Sequence, residues 1–402
     1  VRKQVEGSAA VAEAIALCRP QVICAYPITP QTHIVEGLGE LVKDGTLQGC
    51  DYINVESEFA ALSVAIGASA TGSRTYTATS SQGLLFMAEA VYNASGLGLP
   101  IVMTIGNRAI GDAGWIQLFA ETNQEALDLH IQAFKLAEAL SCPVMVCMDG
   151  FILTHAYEAV DMPAQAEVDA FLPPFSPRQV LDLTEPVSMG AMVGPEAFME
   201  VRYLAHHKQM RALELIPQIG RDFAARFGRD SGGLLRAYRC EDAETIVVAL
   251  GSVNGTLQEA VDVMRGRGER VGSVTLVAFR PFPLEALRAV LQGAKRVVVL
   301  EKSLAPGLGG VVSDGVRKSL AGIVLKGTTV IAGLGGRAIT RASLVTMLDR
   351  AMRDELEAVH FLDLNHAVVE HELAREAQEQ RSGPTAEAVL KQLGAAGARV
   401  AG

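Results

Sequence analysis

The sequence predicts an α/β protein: a parallel sheet with helices on both faces, followed by a second α/β unit. Two observations predict this. Short aliphatic runs alternate with helical patterns at strand–turn–helix spacing, as at 22–25, 75–79, 100–105 and 143–148. The same rhythm stops after 162 and restarts at 245, which separates two units within a chain of 402 residues.

In chain order, a helix of small and apolar residues is predicted over 8–17, a strand over 21–25 and a helix over 32–43. A short strand follows at 52–55, and Ser57 opens a helix through 70. The strand 75–79 runs into the turn 80–83 and a helix over 84–95. The strand 100–105, the helix 125–140 and the strand 143–148 complete the first unit. From 162 to 237 the chain reads as a long excursion packed on the first domain, with a helix at 196–216 and Pro217 limiting the next segment. The second unit has strands at 245–252, 271–278, 296–300 and 328–333, and helices at 255–267, 284–291 and 344–353. The expected domains are 1–237, 238–355 and a charged helical tail over 356–402.

Composition narrows the function classes. Hydrophobic residues make up 49% and aromatics only 5%, so the core must be Ala, Val, Leu and Ile. Mean hydropathy is +0.24, yet no apolar run approaches the length of a membrane span. The first residues lack the apolar core of a signal peptide, so a cytoplasmic protein is expected. High apolarity without a span hints that part of the surface is buried against other subunits. A net charge of −10 argues against nucleic acid as a partner. None of the six cysteines, Cys18, Cys24, Cys50, Cys142, Cys147 and Cys240, forms a C-x-x-C motif. They read as buried reduced thiols, and no metal site is expected from this chain.

Four turns end first-domain strands with polar residues: Tyr26-Pro27-Ile28-Thr29-Pro30, Glu56-Ser57-Glu58, Ser80-Ser81-Gln82-Gly83 and Gly106-Asn107-Arg108. The strand-end rule places them along one edge of one sheet, where α/β proteins bind ligands. The two prolines hold the Thr29 hydroxyl on a stiff turn. Together the turns offer hydroxyls, a carboxylate, an amide and a guanidinium, a set suited to an organic acid. Local explanations compete with each. Thr29 can serve as a helix N-cap, Glu58 suits the first turn of a helix, Ser80 and Ser81 can cap the next helix, and Arg108 can be a surface arginine. His206-His207 reads as a solvated helix face. Gly307-Leu308-Gly309-Gly310 and Gly333-Leu334-Gly335-Gly336 look like phosphate loops but match no full phosphate-binding motif.

The ordered set Tyr26-Pro27-Ile28-Thr29-Pro30, Ser57-Glu58, Ser81-Gln82-Gly83-Leu84, Gly106-Asn107-Arg108-Ala109-Ile110 and Asp149-Gly150-Phe151 resembles the α subunit of the 2-oxoacid:ferredoxin oxidoreductases. Gly251-Ser252, Arg280-Pro281-Phe282-Pro283 and Gly333-Leu334-Gly335-Gly336-Arg337 carry the resemblance through the second unit. It implies a pyrimidine-binding domain of the thiamine diphosphate enzymes followed by a transketolase C-terminal-like domain. It also implies CoA-dependent oxidative decarboxylation of a 2-oxoacid, pyruvate by default or another such as phenylglyoxylate. Catalytic roles fall on Glu58, which would hydrogen-bond the aminopyrimidine, on Arg108, which would hold the substrate carboxylate, and on Thr29. Tyr26, Pro27, Ile28, Ser81 and Gln82 would line the cofactor beside Glu58. Glu56 competes for the role of Glu58. The resemblance leaves the diphosphate, Mg²⁺ and a [4Fe–4S] cluster to a β subunit. It adds γ and ferredoxin-like subunits, coenzyme A as co-substrate, and ferredoxin or another electron acceptor. Relatives carry a polar loop with Asn, Asp and His after the Arg-Ala-Ile text, whereas here Gly111-Asp112-Ala113 leads straight to Trp115. Either the lid is shorter, or residues are absent from the sequence between Ile110 and Gly111; the second reading is the expectation. Two rivals differ in class: a non-oxidative thiamine enzyme of the transketolase or decarboxylase kind, and a non-catalytic scaffold subunit.

Overall fold

In the computed structural model, residues 1–106, 111–186, 188–189, 193–377 and 385–394 are described. The first sheet has the strand order Ala278–Arg280, Ile116–Phe119, Val144–Met148, Ile101–Gly106, Thr75–Ser80, Val22–Ala25, Asp51–Asn54. All neighbours are parallel except Ala278–Arg280, which runs antiparallel to Ile116–Phe119. Alternate residues of each strand feed opposite faces. Ile23, Ala25, Val102, Val144 and Val146 pack beneath the helices Gly7–Leu17, Thr32–Lys43 and Asn123–Leu140. Cys24, Ile101, Met103, Met145 and Cys147 pack beneath Glu58–Ala70 and Ala88–Leu97. Burial on both faces is what makes the text of Ile101–Gly106 and Val144–Met148 almost continuously apolar.

The second sheet runs Val359–Phe361, Lys326–Ile331, Arg296–Glu301, Thr245–Leu250, Val271–Leu276, Leu235–Tyr238, with only Leu235–Tyr238 antiparallel. Its edge strands are Leu235–Tyr238 and Val359–Phe361, so the segment read as a helical tail from 356 first adds a strand to this sheet. The predicted strand 271–278 divides: Val271–Leu276 stays in this sheet, and Ala278–Arg280 crosses to the first. Among the described residues five strands were not legible: Ile116–Phe119, the antiparallel pair Arg2–Glu6 with Tyr157–Asp161, and the two edge strands Leu235–Tyr238 and Val359–Phe361. The predicted helix 84–95 is two helices, Gln82–Phe86 and Ala88–Leu97, broken at Met87.

Pro217 does not limit the excursion helix. Phe198–Phe227 runs through it for 30 residues. Ala212, Ile216, Ile219, Gly220 and Phe223 are buried in the core that also holds residues of Asn123–Leu140, and this packing continues on both sides of the proline. Tertiary burial outweighs the one backbone hydrogen bond that proline removes. The chain then leads to the second domain along the same helix. Asp128 takes Arg229 at 2.6 Å and the Ser231 hydroxyl at 2.7 Å, and Arg236 pairs with Glu125 and Glu121. The cysteines are free, four buried and two partly buried. No helix among the described residues is long and apolar enough to cross a membrane.

Beneath the first sheet the fully buried Tyr76 hydroxyl, Thr104 Oγ1 and His130 Nε2 form a chain with 2.6 Å links, and His130 Nδ1 donates to the Ala126 carbonyl. This pattern suits a neutral imidazole. Burial lowers the His130 pKa from 6.5 to about 4. The unfolded chain therefore binds a proton that the folded chain refuses over that window. Stability should fall as pH drops from about 6.5 toward 4, by up to about 3 kcal/mol. His130→Gln should flatten this limb of urea midpoint against pH; an unchanged slope would assign it to other groups.

Candidate active site

The register aligns the carboxyl ends of the first sheet. Ala25 lies opposite Asn54, and Ser80 lies beside Gly106, which lies beside Met148. The turns that follow these strands are therefore neighbours. The Ser80 hydroxyl donates to the Thr29 carbonyl at 3.1 Å. A Cβ on Gly106 would lie 3.0 Å from Ser80 and 3.3 Å from Pro30. Gln31, fully buried, closes the 26–30 turn by donating its Nε2 to the Tyr26 carbonyl at 3.0 Å. Its Oε1 has no partner. Tyr26, Pro27 and Thr29 are exposed on this turn and Ile28 is half-buried.

Glu58 and Glu56 separate clearly. Ser57 caps the helix Glu58–Ala70, its hydroxyl accepting from the Ala60 N–H. That cap turns Glu56 outward, where it is exposed, and Glu58 inward, where it is only 8% exposed. The Glu58 carboxylate has no hydrogen-bond or ion-pair partner among the described residues. It leans on the Ser81-Gln82-Gly83 turn: a Cβ on Gly83 would lie 2.8 Å from Glu58 Oε1 and 2.4 Å from Thr79 Oγ1. Glycine is the one residue that lets this carboxylate approach. Ser81 sits at φ 49° and ψ −119°, a conformation costing about 1–3 kcal/mol that is concentrated at functional turns. Neither serine caps the following helix: Ser81 makes no side-chain cap bond, and the Ser80 hydroxyl is committed to the Thr29 turn.

Arg108 and the junction between Ile110 and Gly111 lie outside the described residues. The neighbouring Gly111 carbonyl accepts from Arg280 Nε of the second domain at 2.7 Å.

The second domain meets the same edge. Asp149, just after Val144–Met148, accepts from the Ser252 N–H at 2.7 Å and from its hydroxyl, and its other oxygen faces Lys302 Nζ at 2.8 Å. The glycine loops take no part. Glu301 is 1% exposed and accepts from the backbone N–H groups of Val311, Val312 and Ser313. It thereby satisfies the helix Val312–Ser319, the place where a phosphate would sit. The Gly333-Leu334-Gly335-Gly336 stretch is a single exposed 3₁₀ turn. His206 and His207 are exposed on their helix.

Gln31, the Asp149–Ser252–Lys302 contact and the Arg280–Gly111 bond were not read from sequence. Only Gln31 carries a local signal, a polar residue directly after the Thr-Pro pair at a helix entry.

Fold and edge together define a pyrimidine-binding-type domain joined to a transketolase C-terminal-like domain. The chain belongs to the pyruvate:ferredoxin/flavodoxin oxidoreductase family. The family model for its thiamine diphosphate-binding region matches residues 13–115 and 109–221, and the model for core domain II of pyruvate:ferredoxin oxidoreductase matches 243–344. The first two matches meet where the polar loop of relatives is expected. The chain is 42% identical to pyruvate synthase subunit PorA of Methanosarcina barkeri, over 91% of this chain and 97% of that protein. It is 43% identical to the PorA of Methanothermobacter thermautotrophicus, over 88% and 96%. Ketoisovalerate oxidoreductase subunit VorA of Pyrococcus abyssi is 40% identical over 85% and 91%. Among solved structures, a 2-oxoglutarate:ferredoxin oxidoreductase from Magnetococcus marinus shares the fold with TM-score 0.68 and 20% identity, over 88% of this chain. The chain spans 65% of that longer protein. A split-gene transketolase shares it with TM-score 0.51 and 14% identity, over 86% of this chain and 98% of that one.

Gly83→Ala should destabilise the chain by about 1–3 kcal/mol, because its Cβ collides with Thr79 and Glu58. Gly96→Ala, with open space around it, should be neutral or stabilise by up to about 1 kcal/mol. Paired thermal unfolding of the two variants checks the contrast; equal effects would remove the close approach of Glu58.

Proposed function

We propose that this chain is the α subunit of a multisubunit 2-oxoacid oxidoreductase that converts a 2-oxoacid and coenzyme A to acyl-CoA and CO₂. Pyruvate is the leading substrate, on the strength of the relatives named pyruvate synthase. The electron pair leaves one electron at a time to iron–sulfur clusters of partner subunits, and from there to ferredoxin or another acceptor. The assembly is read as cytoplasmic.

The observation that carries this reading is the Glu58 carboxylate: buried, unpartnered within the described chain, and held against Gly83 on the ligand-binding edge. A largely covered carboxylate without a partner is costly, and an aminopyrimidine ring nitrogen sharing a proton with it would satisfy it. The residues present therefore fit thiamine diphosphate. When bound, the cofactor supplies a thiazolium carbon that adds to the 2-oxo carbon and stores the electrons left behind by CO₂. Glu58 holds the proton of the pyrimidine nitrogen, and burial shields that proton from water. Tyr26, Pro27, Ile28, Ser81 and Gln82 border the cofactor. Thr29 presents its hydroxyl toward the substrate, its backbone held by Ser80. Arg108 binds the substrate carboxylate.

The diphosphate, Mg²⁺ and clusters are assigned to the β, γ and ferredoxin-like subunits. The exposed side chains of Phe59, Leu85 and Phe86 flank Glu58 and Gly83 in sequence, which supports a partner covering this edge. Among the described residues, the group of side chains able to hold a metal ion is Glu6, His33 and His155. Two imidazoles do not suit Mg²⁺.

In the assembled complex, Glu58→Gln should lower kcat by about 10²- to 10⁴-fold, while Glu56→Gln retains activity. Full activity of the Glu58 variant would favour the scaffold reading. Arg108→Ala should raise KM for the 2-oxoacid on the order of 10- to 100-fold, with thiamine diphosphate still bound. An unaltered KM would remove that assignment. Absence of iron from the purified complex would favour a non-oxidative thiamine enzyme.

A further inference from the structure

We propose that Glu6, His33 and His155 form a binding site for a divalent first-row transition cation of the Zn²⁺ class. One ligand atom from each lies within 4.8 Å of the others. Three separate segments deliver them. Glu6 ends the strand Arg2–Glu6, His33 is in the first turn of the helix Thr32–Lys43, and His155 lies between the strands Val144–Met148 and Tyr157–Asp161. The chemistry of the set is specific. Two imidazoles and a carboxylate suit Zn²⁺ and its neighbours, and leave further coordination positions to water or an incoming group. Hard cations prefer all-oxygen sets.

The residues are held in place before any ion arrives. Strand pairing sets Glu6 opposite Tyr157. On either side of His155, the carbonyls of Thr154 and Ala156 accept from the backbone N–H groups of Ser8 and Gly7, each at 3.0 Å. The Ser8 hydroxyl adds a second bond to the Thr154 carbonyl at 2.8 Å. The carriers of Glu6 and His155 are therefore locked side by side by backbone bonds. The His155 ring is also oriented. Its Nδ1 lies 2.7 Å from Thr154 Oγ1, and Phe151 stacks on it at 5.3 Å. A polar partner on one ring nitrogen leaves the other as the free electron pair, the usual outer-shell arrangement of a metal-binding histidine. His33 approaches from the third side, its Nδ1 2.8 Å from Glu6 Oε1 and its ring 5.2 Å from that of His155.

The place of the site gives it a role. His33 is four residues after Thr29, and His155 lies in the loop that begins with Asp149. A cation would tie the N-terminal strand, the Thr29 turn and the Asp149 contact with the second domain into one rigid edge. It would do so without touching the reacting atoms.

The test uses the full chain, stripped with a chelator. Calorimetric titration with Zn²⁺ alone should show one saturable equivalent at micromolar affinity. Co²⁺ should bind with the visible absorption of a low-coordinate nitrogen and oxygen site, and Zn²⁺ should raise the unfolding temperature. His155→Ala and Glu6→Ala should each weaken binding on the order of 100-fold and abolish the rise, while His206→Ala leaves both intact. If His155→Ala does not fold, His33→Asn at an exposed position serves in its place. No saturable binding, or binding indifferent to these substitutions, would overturn the site and leave a plain Glu6–His33 ion pair. The readout is metal binding, so it is independent of the assigned catalytic activity.

Discussion

The carboxylate of Asp149 is where the two halves of the molecule are made into one. It leaves the carboxyl end of Val144–Met148 and receives Ser252 and Lys302, which follow the carboxyl ends of Thr245–Leu250 and Arg296–Glu301. The carboxyl ends of strands from both sheets therefore meet here, the arrangement that a cleft between α/β domains requires. The salt bridge is partly screened from water, with the Asp149 side chain 11% exposed and that of Lys302 20% exposed. Removing either charge strands the other in a poorly solvated place. Two further ties act in parallel: the strand Ala278–Arg280, which belongs to the first sheet, and Arg280 reaching the Gly111 carbonyl. The second domain thereby grips the end of the loop that follows the strand Ile101–Gly106.

Two glutamates show why a buried carboxylate cannot be read for function from burial alone. Glu301 and Glu58 are both shielded from solvent, and both lie at strand ends or helix starts. Glu301 receives three backbone N–H groups and the Ser313 hydroxyl. It caps the helix Val312–Ser319, and its negative charge is fully answered. Gly310 exists to admit it, since a Cβ there would strike Glu301. Glu58 has the same sort of glycine beside it and no such partner within the described chain. One carboxylate completes the fold, and the other has no partner among the described residues, which is what the proposed function rests on.

This contrast marks the limit of what was legible. The text of the first domain was readable where strands covered on two faces are almost continuously apolar, as Val144–Met148 is, and where a helix begins with a recognisable cap, as Ser57 provides. The cluster of Thr29, Glu58 and Ser81 was readable because parallel connectivity places every strand end on one edge. The strand Ile116–Phe119 was not, because it is short and follows a turn rather than a helix. Pro217 misled because a local penalty was set against packing that appears only in three dimensions. The Asp149 contact joins residues more than a hundred positions apart, and nothing local distinguishes Ser252 or Lys302 from ordinary turn residues. The glycine loops matched no full phosphate motif, and for Gly307-Leu308-Gly309-Gly310 the position of Glu301 shows why the resemblance goes no further: the helix end that follows is already occupied.

An edge built this way fits the proposed reading as half of a site. It supplies one buried carboxylate and a rigid, strained turn at Ser81, and beside them it exposes Phe59, Leu85 and Phe86. Phe86 is 61% exposed, next to a glutamate that is almost wholly covered. Under the proposed function one event would remove both mismatches: a second subunit docking over the aromatics while the ligand it carries satisfies Glu58, so that assembly and catalytic readiness would be a single step.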